Sequence, residues 1–414
     1  MASSRSNEGR SILYITYDGL TDPLGRSQVL PYLTGLAAMG HRITILSCEK
    51  RDRWKSDGPA VQKLCDQAAL FWAPIAYHRR PPVLSAAYDT AMLARRAAVL
   101  HRERQFEIVH CRSYIPVIVG LHLKKRYGLK LIFDMRGYWA EEKVESGNWP
   151  LRNPLFRAVF DYFKREEADA LIRADAIVSL TRASRHELAG RPELKDGPEK
   201  IAVIPTCVDF DHFALATQAG RKKARQQLGI PHDTPVLGYV GSVGGDNYML
   251  GEMLEFFRAY REKRPGACFL FITQVDPQLI IAAAREKDIG EDCLLIRAAR
   301  RDEVPFFTSA ADHGVAFKRA TFSALACSPT KLGEMMALGI PVAANSGVGD
   351  VTEILAETGG VTIDRFDRQS LSAAVGRLIS TEMTPKTIRD RARTRFDLRN
   401  GVRAYDQIYR SVVT

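Results

Sequence analysis

The segment most able to do chemistry runs from Phe317-Lys318 through Ser328-Pro329-Thr330-Lys331-Leu332-Gly333-Glu334 to Gly339-Ile340-Pro341-Val342. Ser328 reads as an N-cap and Pro329 as the first helical residue, where its fixed φ fits. The unpaired N–H groups and dipole of a helix start attract anions, and Lys331 adds a full positive charge within that first turn. Glu334 follows three residues later on the same face. A lysine beside phosphates and a carboxylate reaching ribose hydroxyls would together form a nucleotide clamp. A plain helix cap with a surface Lys–Glu pair is the competing reading of the same spacing.

A second constellation is Phe133-Asp134-Met135-Arg136-Gly137-Tyr138-Trp139, with Glu141 and Glu142 close behind. It follows a strand end, where α/β proteins build their sites. Rings, carboxylates and a guanidinium suit sugar binding, and an Arg–Asp pair beneath a packed tryptophan is the structural alternative. His110 and Arg112, also just past a strand, point to the same sheet edge, although a lone histidine there is more often structural. Residues 86–104 set Arg95, Arg96, Arg102 and Arg104 beside Met92, Leu93 and Leu100. Such a helix could lie on a membrane surface, or simply on the surface of the protein.

The elements that must position these residues are legible in outline. Ile12–Tyr17 is an apolar run, followed by a loop over 18–27 that contains Gly25-Arg26-Ser27. Val29, Leu33, Leu36 and Ala37 then recur at helical spacing, with Pro31 tolerated only near the first turn. Gly40 ends that helix, and a strand follows over 43–46. Further strands are predicted at 106–110, 131–133, 176–180 and 201–204, separated by helical stretches, as in a parallel sheet covered on both faces. The alternation restarts at Val236–Gly241, continues with a helix near 249–262, and gives strands at 268–273, 293–297 and 314–317, with a further strand resuming at 340–343 after Gly339. The last stretch, 395–409, puts Val402, Tyr405, Ile408 and Tyr409 on one helical face and needs a partner surface in one half or the other. The predicted organisation is α/β, with one unit over 1–210 that regains the terminal helix 393–414, and a second over 211–392.

Composition narrows the classes. The chain of 414 residues is 46% hydrophobic and 26% charged, too long for a single core and ordinary for a globular protein. No apolar run is long enough to span a membrane. The first ten residues lack the apolar middle of a signal peptide and read as a leader before a strand. Seven scattered cysteines with no CxxC pair favour reduced thiols and a cytoplasmic location over a disulfide framework or a structural zinc. The net charge of +11 divides into +8 for residues 1–210 and +3 for 211–414. That excess suits an anionic acceptor or peripheral contact with a membrane face. No nucleic-acid-binding motif accompanies it, so nucleic acid is not expected as a partner.

Four segments resemble glycosyltransferase family 4 in order and spacing. Glu334-x-x-Ala337-x-Gly339-x-Pro341-Val342 is similar to its C-terminal signature. Gly25-Arg26-Ser27 with Gly40-His41 resembles its glycine loop and the Gly-His that follows, and Ile204-Pro205-Thr206-Cys207-Val208-Asp209 resembles its "IPNGVD" turn. Gly241-Ser242-Val243-Gly244 is similar to the start of its first C-terminal loop. The resemblance implies a GT-B fold: two Rossmann-like domains across a cleft, the last helix crossing back to the first domain. It implies a retaining transferase that uses a nucleotide-diphosphate sugar, needs no cofactor or metal, and acts on a carbohydrate or lipid-linked glycan such as a growing bacterial surface polysaccharide. It places Glu334 on the donor ribose, Ser328, Thr330 and Lys331 at the diphosphate or donor sugar, and backbone N–H groups near Gly25 on the same phosphates. Tyr138, Trp139, Glu141, His110 and Arg112 are expected on the acceptor side.

The chain departs from the family at three points. Cys327 stands where an acidic residue is usual, seven before Glu334. Ser242 replaces an arginine, and residues 244–248 offer no lysine. Arg136 replaces a histidine. Lys318 and Lys331 could supply the missing charge, as in a branch of the family with an SPTK loop, so Lys331, Lys318, Arg136 and Asp134 are the expected catalytic set. A nucleotide-sugar 2-epimerase of the same architecture and a non-catalytic partner subunit are the alternatives.

Overall fold

The computed structural model describes residues 9–413 apart from Asp196, Gly244 and Asp246. Residues 1–8 of the expected leader, and Gly244 and Asp246 of the expected glycine loop, lie outside these. The chain divides into two compact units, Met1–Pro205 with Leu398–Thr414, and Thr206–Asp397. The sequence reading set the corresponding limits at 210 and 393.

Unit 1 carries seven strands: β1 (Ser11–Thr16), β2 (Arg42–Glu49), β3 (Phe71–Ala76), β4 (Ile108–Arg112), β5 (Lys130–Asp134), β6 (Ala176–Ser179) and β7 (Ile201–Val203). All pair in parallel, in the order β3-β2-β1-β4-β5-β6-β7. Unit 2 carries β8 (Val236–Val240), β9 (Cys268–Ile272), β10 (Leu294–Arg297), β11 (His313–Ala316), β12 (Val342–Asn345) and β13 (Val361–Ile363). They too are parallel, in the order β10-β9-β8-β11-β12-β13. Both units thus have the doubly wound order of a Rossmann fold, with the order reversing beside β1 and again beside β8. Strands β1, β4, β6, β8, β9 and β12 are buried from end to end, because helices cover both faces and leave no place for alternating polar residues.

Two strands escaped the sequence reading. β3 contains Pro74, which an edge strand tolerates because it has one unpaired side. β13 is three residues long and also lies at an edge. The loop expected over 18–27 is shorter than thought, because a helix, Pro23–Gln28, occupies its end before the helix Leu30–Ala38. Proline near the start of each helix costs no hydrogen bond there.

The helix Leu398–Ser411 belongs to unit 1. It buries Val402, Tyr405, Ile408 and Tyr409 and packs on Leu30–Ala38. Gly35 permits this approach: a Cβ there would lie 2.7 Å from Val402 Cγ2. His41 Nδ1 accepts the Arg10 N–H at 3.0 Å, so Nε2 carries the proton and bonds Asp406 Oδ1 at 2.8 Å. Helix Leu84–Arg104 turns Leu93, Ala97 and Leu100 into the core. Most of the apolar stripe that suggested a membrane surface therefore faces the protein. None of the helices among the described residues is long and apolar enough to cross a membrane, and none of the seven cysteines is in a disulfide.

Candidate functional site

In unit 2 the chemistry-bearing residues gather at the carboxyl ends of β8, β11 and β12, beside the point where strand order reverses. β8 is followed by Gly241, whose φ of +114° a side chain would resist. A Cβ at Gly241 would sit 3.5 Å from Lys331 Cε and Nζ. Lys331 Nζ therefore stands in front of the first loop, beside Ser242, the position that lacks the family's arginine. Its ammonium donates to Tyr239 Oη and lies 3.9 Å from the ring centre of Tyr248 and 4.4 Å from that of Tyr239. Tyr239 Oη donates in turn to the Ser242 carbonyl at 2.6 Å.

Burial pulls the Lys331 ammonium down to about 7, with Cys327 and Glu334 opposing the shift. Burial also pushes the Glu334 carboxyl up to about 7, while Arg301 and Lys331 pull against it. A cation and a carboxyl three residues apart on one helix are thus both held close to their titration points, where a bound anion would shift the lysine toward its charged form.

Lys318 follows β11. Asn345 at the end of β12 fixes its backbone from both sides, accepting the Lys318 N–H at 2.9 Å and donating to its carbonyl at 2.8 Å. Tyr248 bridges to Lys318 in antiparallel fashion, and Arg319 N–H bonds the Asn247 carbonyl at 3.1 Å. Lys318 Nζ lies 6.0 Å from the Tyr248 ring centre. Both lysines therefore converge on Tyr248, a residue the sequence reading passed over. Its signal was an aromatic residue closing the same loop that lacks a lysine.

The helix itself runs Thr330–Ala337, with Pro329 at the N-cap and no capping side chain. The expected Ser328 cap is thus corrected. Ser328 Oγ instead accepts the Thr206 N–H at 3.1 Å, tying the IPTCVD turn to the SPTK turn. With Pro329 extended at φ −69°, ψ 112°, the serine lies one residue too early to reach the first helical N–H groups.

In unit 1 the parallel register pairs Tyr14 with His110 and Arg112 with Asp134, each pair on one face of the sheet. Asp134 is buried, and its Oδ2 accepts the Tyr405 hydroxyl at 3.1 Å. His110 Nε2, Arg112 Nη1 and Arg136 Nη1 lie 3.5, 3.9 and 3.8 Å from its carboxylate oxygens. Burial raises the Asp134 carboxyl, but Arg136, His110 and Arg112 outweigh it and leave it below the ordinary range. Burial lowers the His110 imidazole, whose Nδ1 pairs with Tyr409 Oη at 2.7 Å. Arg136 is held at φ +59°, the kind of strained backbone that collects at sites. Asp134 Oδ1, Arg112 Nε and His110 Nε2 are buried without a hydrogen-bond partner. Four expected residues thus meet in one polar cluster, completed by Tyr405 and Tyr409 from the terminal helix, which no local pattern could have added.

The other expected acceptor residues lie elsewhere. Tyr138 is buried with its hydroxyl against Glu187 and Ser184. The Trp139 ring packs between Tyr114, Trp149 and Phe163. Glu141 binds Lys164 Nζ at 2.6 Å. Near the first helix, a Cβ on Gly25 would lie 2.2 Å from the Gly19 carbonyl, so only glycine fits. Arg26 pairs with Asp57 at 3.6 Å and Ser27 Oγ with the Pro23 carbonyl at 2.8 Å. That loop is organised by Glu49, which sequence reading missed. Its buried carboxylate accepts Leu20 N–H at 2.7 Å, Thr21 N–H at 3.1 Å, Thr21 Oγ1 at 2.5 Å and Ser47 Oγ at 2.6 Å. A carboxylate closing an otherwise apolar strand was the available signal.

The family model for Glycosyltransferase Family 4 matches residues 29–212. The D-inositol 3-phosphate glycosyltransferase of Kineococcus radiotolerans is 29% identical over 157 residues, which is 38% of this chain and 33% of that protein. D-inositol 3-phosphate glycosyltransferase 1 of Catenulispora acidiphila is 23% identical over 336 residues, 78% of this chain and 75% of that one. The chain thus spans about a third of the first relative and three-quarters of the second. Anabaena HepE, solved in complex with UDP and glucose, superposes with a TM-score of 0.68 at 15% identity, covering 96% of this chain and 99% of that one. At that identity the likeness speaks for the fold.

Proposed function

We propose that the chain is a family 4 glycosyltransferase that moves a sugar from a nucleotide-diphosphate sugar to a glycan acceptor, with retention and without a metal, a reading supported by the family-model match over residues 29–212 and by the GT-B fold. The observation that carries this reading is the placement of Lys331 and Glu334 on the helix that starts at the carboxyl edge of unit 2. Departure of a diphosphate builds negative charge, and fixed N–H dipoles with lysines can stabilise it. Lys331, caged by Tyr239 and Tyr248, and Lys318 take the part of the absent arginine and lysine. Glu334 accepts from ribose hydroxyls. The leaving phosphate itself takes the acceptor's proton, so no protein nucleophile is required.

Unit 1 holds the acceptor side, with Arg112, Asp134 and Arg136 at its centre. The acceptor is a bacterial surface polysaccharide or a lipid-linked glycan, approached at a cytoplasmic membrane face by the basic unit 1. The HepE complex supports UDP as a first donor base to try.

The test is a thermal-shift screen of UDP-, GDP-, ADP- and CDP-sugars, since a ligand that binds only the native state raises Tm. At least one should shift the parent, and Lys331→Ala and Glu334→Ala should lose that shift. Turnover should persist in EDTA. Loss of turnover on chelation, restored by Mg²⁺ or Mn²⁺, would refute the metal-free reading, and no shift with any nucleotide would refute the donor site.

A further inference from the structure

The carboxyl ends of β3, β2, β1, β4 and β5 form one continuous edge of unit 1. Beyond the Asp134 cluster, this edge carries a second ordered polar group. Asp89, on the helix Leu84–Arg104, is wholly buried. Its Oδ1 lies 2.6 Å from His78 Nδ1, and its Oδ2 accepts the His78 backbone N–H and the Tyr17 hydroxyl, each at 3.0 Å. Those bonds fix the imidazole: with the proton on Nδ1 directed at Asp89, the Nε2 lone pair points away from the carboxylate. The His78 side chain is 47% exposed, so a fully enclosed carboxylate here orients an open ring nitrogen.

Rings and a cation surround it. Tyr88 is 54% exposed and stands edge-on to His78, with ring centres 5.1 Å apart. Tyr17 and Tyr77 meet at 5.5 Å. Lys50 Nζ lies 5.8 Å from the Tyr77 ring centre and 2.8 Å from Asp22 Oδ2. The group is continuous with the Asp134 cluster, because Asp18, next to Tyr17, lies 3.6 Å from Arg112 Nε. Exposed aromatic faces beside fixed hydrogen-bonding groups suit a ligand with alternating C–H faces and hydroxyls.

We propose that His78, oriented by Asp89 and flanked by Tyr17, Tyr77 and Tyr88, is a saccharide subsite that holds an acceptor sugar remote from the one that reacts. This rests on reading unit 1 as the acceptor side. His78 Nε2 accepts from a sugar hydroxyl while a tyrosine face packs on the ring's C–H groups. His78 is a positioning residue, and it takes no proton from the reacting hydroxyl.

The discriminating variant is His78→Asn. The asparagine amide can still donate to Asp89 from where Nδ1 stood, but no atom remains at Nε2. Saturation-transfer NMR is run with methyl glycosides and disaccharides of glucose, mannose, galactose and N-acetylglucosamine. Tm and the shifts given by UDP and GDP are measured in parallel. The parent should give saturation transfer with at least one disaccharide. His78→Asn and, separately, Tyr88→Ala should weaken it about tenfold, the scale of one lost contact, with Tm and nucleotide shifts unchanged. Undiminished saccharide binding in a stable His78→Asn overturns the proposal, as does a parent that binds none of the panel. If His78→Asn unfolds, exposed Tyr88→Ala decides by the same readout. Saccharide binding that depends on His78 without any nucleotide shift would leave the subsite standing and remove the transferase reading.

Discussion

Replacing Lys331 by methionine should do two opposite things. Burial brings the ammonium down to about 7 from 10.5, so carrying the charge in the ligand-free protein costs at most about 5 kcal/mol, at about 1.4 kcal/mol per pH unit. The side chain is half-buried, and solvent screening reduces this to roughly 2 kcal/mol. The sign follows from linkage. The unfolded lysine holds its proton up to about 10.5 and the folded one only up to about 7, so the cost is complete at and below pH 7 and fades as pH rises toward 10.5. Methionine carries no charge and packs well on the Tyr239 and Tyr248 rings. It should therefore raise Tm at pH 7 by roughly 4–8 °C, with the advantage narrowing by about pH 9.5. Turnover should fall by roughly 10²-fold, the scale of losing one group that stabilises a developing anion. Differential scanning calorimetry across this pH range and initial rates with the donor found by screening read both effects. A variant that turns over like the parent, or a Tm gap that does not change with pH, refutes the reasoning.

Glu334→Gln should behave as the mirror case: the folded carboxyl is raised from 4.5 to about 7, so its charge costs stability increasingly as pH rises through that window. Urea midpoints of parent and variant should then coincide near the low end and favour glutamine above pH 7, while donor affinity falls. Glu49→Ala should destabilise unit 1 by about 3 kcal/mol, because two buried N–H groups lose their acceptor; chemical denaturation followed by the unit's own tryptophans measures it. His313, lowered to about 4 mainly by burial, contributes stability that is complete above about 6.5 and is lost as pH falls from there toward 4. His313→Gln should flatten the acid limb of a Tm–pH curve. Gly35→Val should cost about 1–3 kcal/mol by driving a side chain into Val402, seen as a lower Tm with unchanged nucleotide binding.

Much of this protein was set by local sequence. Apolar runs such as Ile12–Thr16 and Val236–Val240 can be satisfied only inside a sheet covered on both faces, and the helices between them leave a parallel topology as the economical solution. The SPTK turn marked its helix start and its charge without any tertiary information, since proline, lysine and glutamate act within one turn. Strands β3 and β13 were less legible, because a proline or a three-residue length weakens the periodic signal at an edge. The tertiary structure decided what no window of sequence contains. Ser328 was given to Thr206, 122 residues away, because the turn geometry moved it out of capping reach. Tyr138 went to the interior and Trp139 to a half-buried aromatic cluster with Tyr114, Trp149 and Phe163, where apolar area is removed from water. The terminal helix chose unit 1, since Gly35 lets it approach closely and His41 meets Asp406. Glu49 and the His78–Asp89 pair in unit 1, and Tyr248 in unit 2, acquired their roles only when strand ends distant in sequence met at the edge of their own sheet. Residue type states which interactions a side chain can make; the parallel register decides which partners are close enough to make them.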